Sequence, residues 1–173
     1  MFPKEVEFYW RRANVFRDRV KEEIYSEQVD LQCEYARSQD PVKFPDRLAL
    51  AYKPLHRGEK WGENWESAWF HITGSVPEHF AGREIALLAD FGGEALIFDA
   101  EGTPVYGLTN ASAFSDRYTK NRYLLKGSHS AGEKLEFWIE GAANGLFGLV
   151  FEKEKELRRQ HPQGRFTGTL VSC

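Results

Sequence analysis

The first segment of the chain repeats apolar residues with the period of an α-helix. They recur at three- and four-residue steps between Val6 and Ile24, which places them on one stripe of a helix (Val6, Tyr9, Trp10, Ala13, Phe16, Val20 and Ile24). Basic and acidic residues are interleaved at most of the remaining positions, so we interpret that side as a solvated face rather than as a phosphate-binding patch. The pattern predicts a helix from about Lys4 to Tyr25, within an N-terminal helical segment over residues 1–27.

From residue 28 onward, short apolar runs and stretches of period two predict β-strands. The predicted strands are 29–35, 48–52, 69–73, 84–90, 94–99, 105–108, 121–125, 135–140, 146–151 and 165–173. The turn residues between Ala100 and Pro104 join two of these strands into a hairpin over 94–108. Cys33 is in phase with its apolar neighbours, so we interpret it as a small core residue rather than a nucleophile. Short strands separated by turns predict a mainly β fold, a sandwich or jelly roll, over residues 28–173.

Composition supports one domain with its own core. The chain has 173 residues, 14% aromatic residues and 15 glycines, a bias that favours sheet over helix bundle. A net charge of −3 gives no global footprint for nucleic acid or an anionic membrane. The N-terminal region lacks an apolar leader, and the two cysteines, Cys33 and Cys173, form no CxxC pair, so we expect a cytoplasmic location.

Catalytic motifs are absent from the sequence. The five histidines are scattered, without HExxH or similar spacing, and there is no GxSxG, Walker A or GxGxxG segment. The sequence therefore predicts no catalytic residue, metal ligand or cofactor in this chain. Glycine-rich residues 141–148 are interpreted as a tight turn. Asp90 and Glu94 flank a Phe-Gly-Gly turn and could act as an acid–base pair, although a chain with 26 acids brings some carboxylates together by chance.

The aromatic cluster is the most distinctive feature. Trp61, Trp65 and Trp69 follow one another at four-residue intervals. Tryptophan beside carboxylates can stack on a pyranose, but the same residues also build ordinary cores. We interpret Trp69 as a core residue, and both alternatives stay open for Trp61 and Trp65. The candidate carbohydrate contacts are Trp61, Trp65, Asp90 and Glu94.

Three stretches together resemble one family. The first is Trp61-Gly62-x-x-Trp65-x-x-x-Trp69-Phe70, followed by Val76-Pro77 and Gly82; the second covers 94–108; the third is Ala142-Ala143-Asn144-Gly145-Leu146-Phe147-Gly148. In this order and spacing they resemble the N-terminal β-sandwich region of class II α-mannosidases, glycoside hydrolase family 38, in its cytosolic and bacterial branch. The resemblance covers residues 5–173.

The resemblance implies a galactose-binding-like jelly roll placed before a catalytic domain that carries zinc, or another divalent metal, and an Asp nucleophile. Those motifs do not occur here, so no catalytic or metal-binding residue is transferred. We expect a non-catalytic N-terminal domain of a longer α-mannosidase whose main partner is the missing catalytic domain; carbohydrate and a second copy are further candidate partners. The alternatives are an independent carbohydrate-binding module, the sugar-binding domain of another glycosidase family, and residual hydrolysis by Asp90 and Glu94.

Overall fold

A computed structural model describes residues 4–25, 27–63, 65–109, 120–143 and 166–172. This part of the chain contains one α-helix, two 3-10 helices (Phe44–Ala49 and Glu78–Phe80) and ten strands. The helix is α1 (Lys4–Glu23), and the strands are β1 (Glu27–Asp30), β2 (Gln32–Ser38), β3 (Lys53–Pro54), β4 (Ser67–Ser75), β5 (Ile85–Asp90), β6 (Glu94–Phe98), β7 (Pro104–Thr109), β8 (Arg122–Leu124), β9 (Lys134–Ala142) and β10 (Thr167–Ser172).

The strands form two antiparallel sheets. The smaller sheet has the order β1-β10-β5-β8, and the larger one has the order β3-β2-β4-β9-β6-β7. Large apolar residues from both sheets belong to a single buried core, with Phe70 and Ile139 contributed by the larger sheet and Leu87 and Leu170 by the smaller. The prediction of a mainly β sandwich with an N-terminal helix is confirmed.

Strand β9 shows how the pattern of the sequence places residues on the two faces of the larger sheet. Leu135, Phe137 and Ile139 are buried, while the residues between them point away from the core. Gly141 is the next buried position in this series. The ring of Phe70 packs so closely against it that a Cβ there would lie 2.9 Å from the ring. Cys33 lies in the same core, as predicted.

The outward face of the larger sheet is partly covered by the segment 39–52. Trp69 lies on this face, and its indole N–H donates to the backbone oxygen of Val42 at 2.7 Å. The Arg47 guanidinium lies 3.5 Å from the ring centroid of Phe44 and 4.4 Å from that of Trp138. Trp69 is 1% exposed and is therefore buried as predicted, but it lies beneath this segment and not in the core between the sheets.

The strand predicted at 48–52 is wrong. The chain forms the 3-10 helix Phe44–Ala49, with a proline in its first turn, followed by the two-residue strand β3. This segment covers the aromatic rings of Trp69 and Trp138, through Phe44, Arg47 and Tyr52, instead of pairing along its length.

The strand predicted at 29–35 is two strands. The chain leaves one sheet and enters the other at Leu31, so β1 pairs with β10 and β2 pairs with β4. Leu31 packs so closely on Gly74 that a Cβ there would lie 2.3 Å from its side chain. A period-two pattern does not predict such a change of sheet, because both strands keep an apolar face toward the same core.

The hairpin predicted at 94–108 is confirmed as β6 and β7, and β10 confirms the strand predicted near residue 170. The predicted strand at 146–151, most of the turn at 141–148 and Cys173 lie outside the described residues.

Helix α1 forms as predicted and ends at Glu23, but its apolar stripe does not pack on the sandwich. Trp10 is 59% exposed and Phe16 is 70% exposed. The helix forms no extensive contact with any strand among the described elements. In this part of the chain, no helix combines the length and apolar character that a membrane span requires.

Candidate functional site

The four residues proposed as carbohydrate contacts all lie at one end of the sandwich, which we call the Trp65 end. The Trp61 indole N–H donates a hydrogen bond to the Phe91 carbonyl. The Trp65 backbone N–H donates one to the carbonyl of Ala143, at the end of β9. Asp90 is the last residue of β5 and Glu94 is the first of β6. The sequence therefore identified residues that the fold brings to the same region, although their environments differ.

Trp61 lies in the core. It is 1% exposed, its indole N–H donates to the Phe91 carbonyl at 2.7 Å, and its ring meets Phe70 edge-on with centroids 4.9 Å apart. With both faces and the polar edge occupied by protein, the indole offers no surface on which a sugar could stack. Sugar contact at this end therefore stays a prediction for Trp65, Asp90 and Glu94.

Trp65 has the opposite environment: its side chain is 63% exposed. Its φ of +73° is the only positive value at a non-glycine position among the described residues, a conformation that costs an L-residue about 1–2 kcal/mol. Two backbone bonds hold it there, from Trp65 N–H to Ala143 O and from Ala143 N–H to Glu66 O, both 2.9 Å. The turn therefore displays a bulky aromatic side chain at a position that glycine would occupy with less strain.

Asp90 and Glu94 flank the turn between β5 and β6, as the sequence indicated. An Asp90 carboxylate oxygen accepts the N–H of Gly92 at 2.8 Å, and Gly92 has a φ of +64°. This bond closes the turn that leads into β6. Asp90 therefore has a structural function, whereas Glu94 is exposed on the outward face of the larger sheet.

Glu94 lies on the rim of a groove of about 550 Å³, which we call the outer groove. The groove runs across the outward face of the larger sheet, beside the segment 39–52. Its polar lining consists of Ser67, Glu94, Thr109, Lys120 and Glu140, and its apolar lining consists of Pro41, Ala95, Leu96, Gly107, Leu108, Gly141 and Ala142.

Glu140 is the most unusual side chain of the outer groove. It is half-buried and has no hydrogen-bond or ion-pair partner among the described residues. Burial raises the pKa of its carboxyl group above the ordinary value, because removing water penalises the charged form. The Lys120 ammonium lies 4.2 Å from the centroid of the Tyr106 ring, which packs against the core and does not line the groove.

Sequence reasoning singled out neither Glu140 nor Lys120. Glu136 and Glu140 occupy equivalent outward positions in β9, and only the packing of neighbouring segments places Glu140 in a depression. The feature that points to Glu140 is its position on the same sheet face as Glu94. That position can be recognised only when β6 and β9 are known to be neighbours.

The metal expected for the parent family does not fit the described residues. Nowhere among them do three or more His, Cys, Asp or Glu side chains come together in a group that could hold an ion. Three of the described histidines, His71, His79 and His129, instead pair singly with glutamates, as His71 does with Glu136 at 2.8 Å. No chemical step through a metal is therefore assigned to this chain.

Two sheets packed over one core, with a groove on one outward face, define a β-sandwich domain. The model of the family described as "Alpha-mannosidase, jelly roll domain" matches residues 27–163. The chain belongs to this family.

Curated relatives agree with this assignment. Alpha-mannosidase G of Dictyostelium discoideum is 28% identical over 136 residues, which cover 75% of this chain and 12% of the relative. Alpha-mannosidase 2C1 of Homo sapiens is 32% identical over 114 residues, covering 62% of this chain and 10% of the relative. The chain thus spans about a tenth of the length of these relatives. A solved beta-glucuronidase of Faecalibacterium prausnitzii covers 84% of the chain at 12% identity with a TM-score of 0.36, which is too low to add to the argument.

Proposed function

We propose that this chain is a non-catalytic domain of an α-mannosidase, and that the rest of the parent protein hydrolyses terminal α-mannosyl residues. The family match over residues 27–163 is the observation that carries the proposal. The short share of each relative that the chain spans also supports it, because most of such a protein lies outside this domain. The expected divalent metal then belongs to the catalytic domain.

Comparing two proteins tests this proposal. The coding sequence that contains this chain is extended to its natural limits, and both the longer product and the 173-residue chain are assayed on an aryl α-mannoside with and without zinc. We expect turnover from the longer product and none from the chain alone. Turnover by the chain alone that is lost in Glu94→Ala would instead support hydrolysis by Asp90 and Glu94. A coding sequence without a catalytic domain would contradict the proposal.

The cytoplasmic location expected from the sequence is part of the same proposal. The buried free thiol of Cys33 is compatible with a reducing compartment. Fractionation of the source cells, followed by detection of the native protein with an antibody against this domain, tests it. We expect the signal in the cytosolic fraction, and recovery from the medium or a secretory compartment would contradict this location.

As a second candidate function, we propose that the domain itself contacts carbohydrate. The observation in favour is the exposed, conformationally strained Trp65 beside an outward sheet face that carries Glu94. Strained positions that retain a costly residue are found at functional sites more often than elsewhere. Titration of methyl α-mannoside against tryptophan fluorescence, with Trp65→Ala as the comparison, tests this function; the absence of any saturable change would contradict it.

A further inference from the structure

We propose that the outer groove binds a neutral saccharide and that Glu140 accepts a hydrogen bond from one of its hydroxyl groups. This inference rests on the second proposed function, carbohydrate contact, and locates it at residues that sequence motifs did not indicate.

Four neighbouring strands bring polar groups together in the outer groove. The register of the larger sheet sets Ser67 of β4 opposite Ala142 of β9, Glu140 of β9 opposite Leu96 of β6, and Glu94 of β6 opposite Thr109 of β7. Adjacent strands are about 4.8 Å apart, so hydroxyl and carboxylate groups recur across the groove at intervals comparable to those between the hydroxyls of a sugar ring. Ser67, Glu94, Thr109 and Glu140 are thus positioned by strands of the sheet.

Within the part of the chain that the structure describes, no protein group donates a hydrogen bond to the Glu140 carboxylate, which leaves its oxygens open to a ligand. Its pKa is raised by burial alone, with no nearby charge or hydrogen bond as a compensating cause. A half-buried acceptor without a partner carries a desolvation cost, which a ligand hydroxyl would offset. A titratable group perturbed by burial in a cleft is the kind of residue that marks a binding site.

The charges and the apolar lining favour a neutral hydroxylated ligand. Glu94 and Glu140 disfavour an anion, and Lys120, whose ammonium packs on the Tyr106 ring, reduces the net negative charge around the groove. Leu96, 41% exposed, and Gly107 form a low apolar floor on which the C–H face of a sugar could lie. The groove volume of about 550 Å³ falls within the roughly 300–1,000 Å³ of small-molecule sites.

Nuclear magnetic resonance of the ¹⁵N-labelled full chain tests this inference. The probes are methyl α-mannoside and an α-linked mannobiose, with glycerol at matched hydroxyl concentration as the negative control. We expect saturable amide shifts at Leu96, Gly107 and Gly141. Glu140→Ala is expected to weaken binding by tenfold or more, because a charged acceptor of a buried hydrogen bond is lost.

Glu136→Ala is the matched control. Glu136 lies four residues before Glu140 on the same outward face of β9, is exposed, and does not line the groove. Thermal unfolding of both variants verifies that the sandwich is intact. Binding that is unchanged in Glu140→Ala, or equally weakened in Glu136→Ala, would overturn the inference and leave carbohydrate contact elsewhere standing. No saturable shift with any probe would overturn both, while the α-mannosidase proposal is decided separately by the hydrolysis assay.

Discussion

Trp61 and Trp65 show how two identical residues four positions apart acquire different functions. Trp61 fills the core and donates to the Phe91 carbonyl, whereas Trp65 extends from a left-handed turn into solvent. Substitution at these two positions should therefore have different consequences for folding and for binding.

We predict that Trp61→Ala lowers the free energy of unfolding by about 3–5 kcal/mol, because it leaves a large cavity and an unsatisfied carbonyl. Trp65→Ala removes an exposed side chain, and we expect a change of about 0.5 kcal/mol or less. Urea unfolding followed by circular dichroism measures both values. Equal destabilisation by the two variants would contradict the difference in burial that the structure shows.

Cys33 provides a chemical test of the core. Burial, with a smaller contribution from Glu34, raises the pKa of its thiol to about 12. Since the thiolate is the reactive form, we predict that iodoacetamide at pH 8 leaves Cys33 unmodified in the folded chain and alkylates it in denaturant. Mass spectrometry of the Cys33 peptide measures this, and rapid labelling of the native protein would show that the thiol is accessible.

The raised pKa of Glu140 makes its contribution to stability depend on pH. A carboxyl group whose pKa is higher in the folded state stabilises the fold when it is protonated. Its contribution to the free energy of unfolding is complete below the ordinary pKa of 4.5 and is lost as the pH rises through the pKa of the folded state. We predict that Glu140→Gln gains stability relative to the native sequence as pH rises from about 4 to 7. Denaturant unfolding across this range measures the difference, with Glu94→Gln as a control for removal of a neighbouring charge. A difference independent of pH would contradict the burial of Glu140.

At the scale of single elements, helix α1 has few contacts with the other elements that the structure describes. Its aromatic stripe is exposed, and the strands of the sandwich pair without it. An amphipathic helix that buries little apolar surface contributes little to the stability of its domain.

We predict that deletion of residues 1–25 leaves the sandwich folded and shifts its melting temperature by only a few degrees. Circular dichroism should show the loss of helical signal with the cooperative β unfolding transition retained. The full chain under the same conditions is the reference. Loss of cooperative unfolding in the shortened chain would show that the helix is part of the core.

Sequence patterns predicted the elements whose signals are local. The period of the apolar stripe predicted α1, and the turn after Ala100 predicted the hairpin of β6 and β7. What could not be predicted depends on contacts between distant segments: the change of sheet at Leu31, the covering of Trp69 by the segment 39–52, and the depression around Glu140. In each case the residue pattern is compatible with more than one packing, and only the assembled sheets select one.

At the scale of the whole molecule, the same two-sheet architecture explains both the family assignment and the position of the proposed site. The inward faces of the sheets are filled by one apolar core, so the proposed ligand would have to bind at an outward face or at the strand ends. The outer groove lies where the covering segment 39–52 stops and the face of the larger sheet becomes accessible.

The pairing of β1 with β10 has a consequence for how the chain folds during synthesis. Val29 lies opposite Leu170, and β10 separates β1 from β5 in the smaller sheet. At about 5–20 residues per second, a ribosome would expose β1 roughly 7–28 seconds before its partner strand is made. During that interval the edges of β1 and β5 that β10 later occupies are unpaired and open to other chains. The nascent chain therefore depends on protection of these edges, and any translational pause before residue 166 lengthens the period in which it can aggregate.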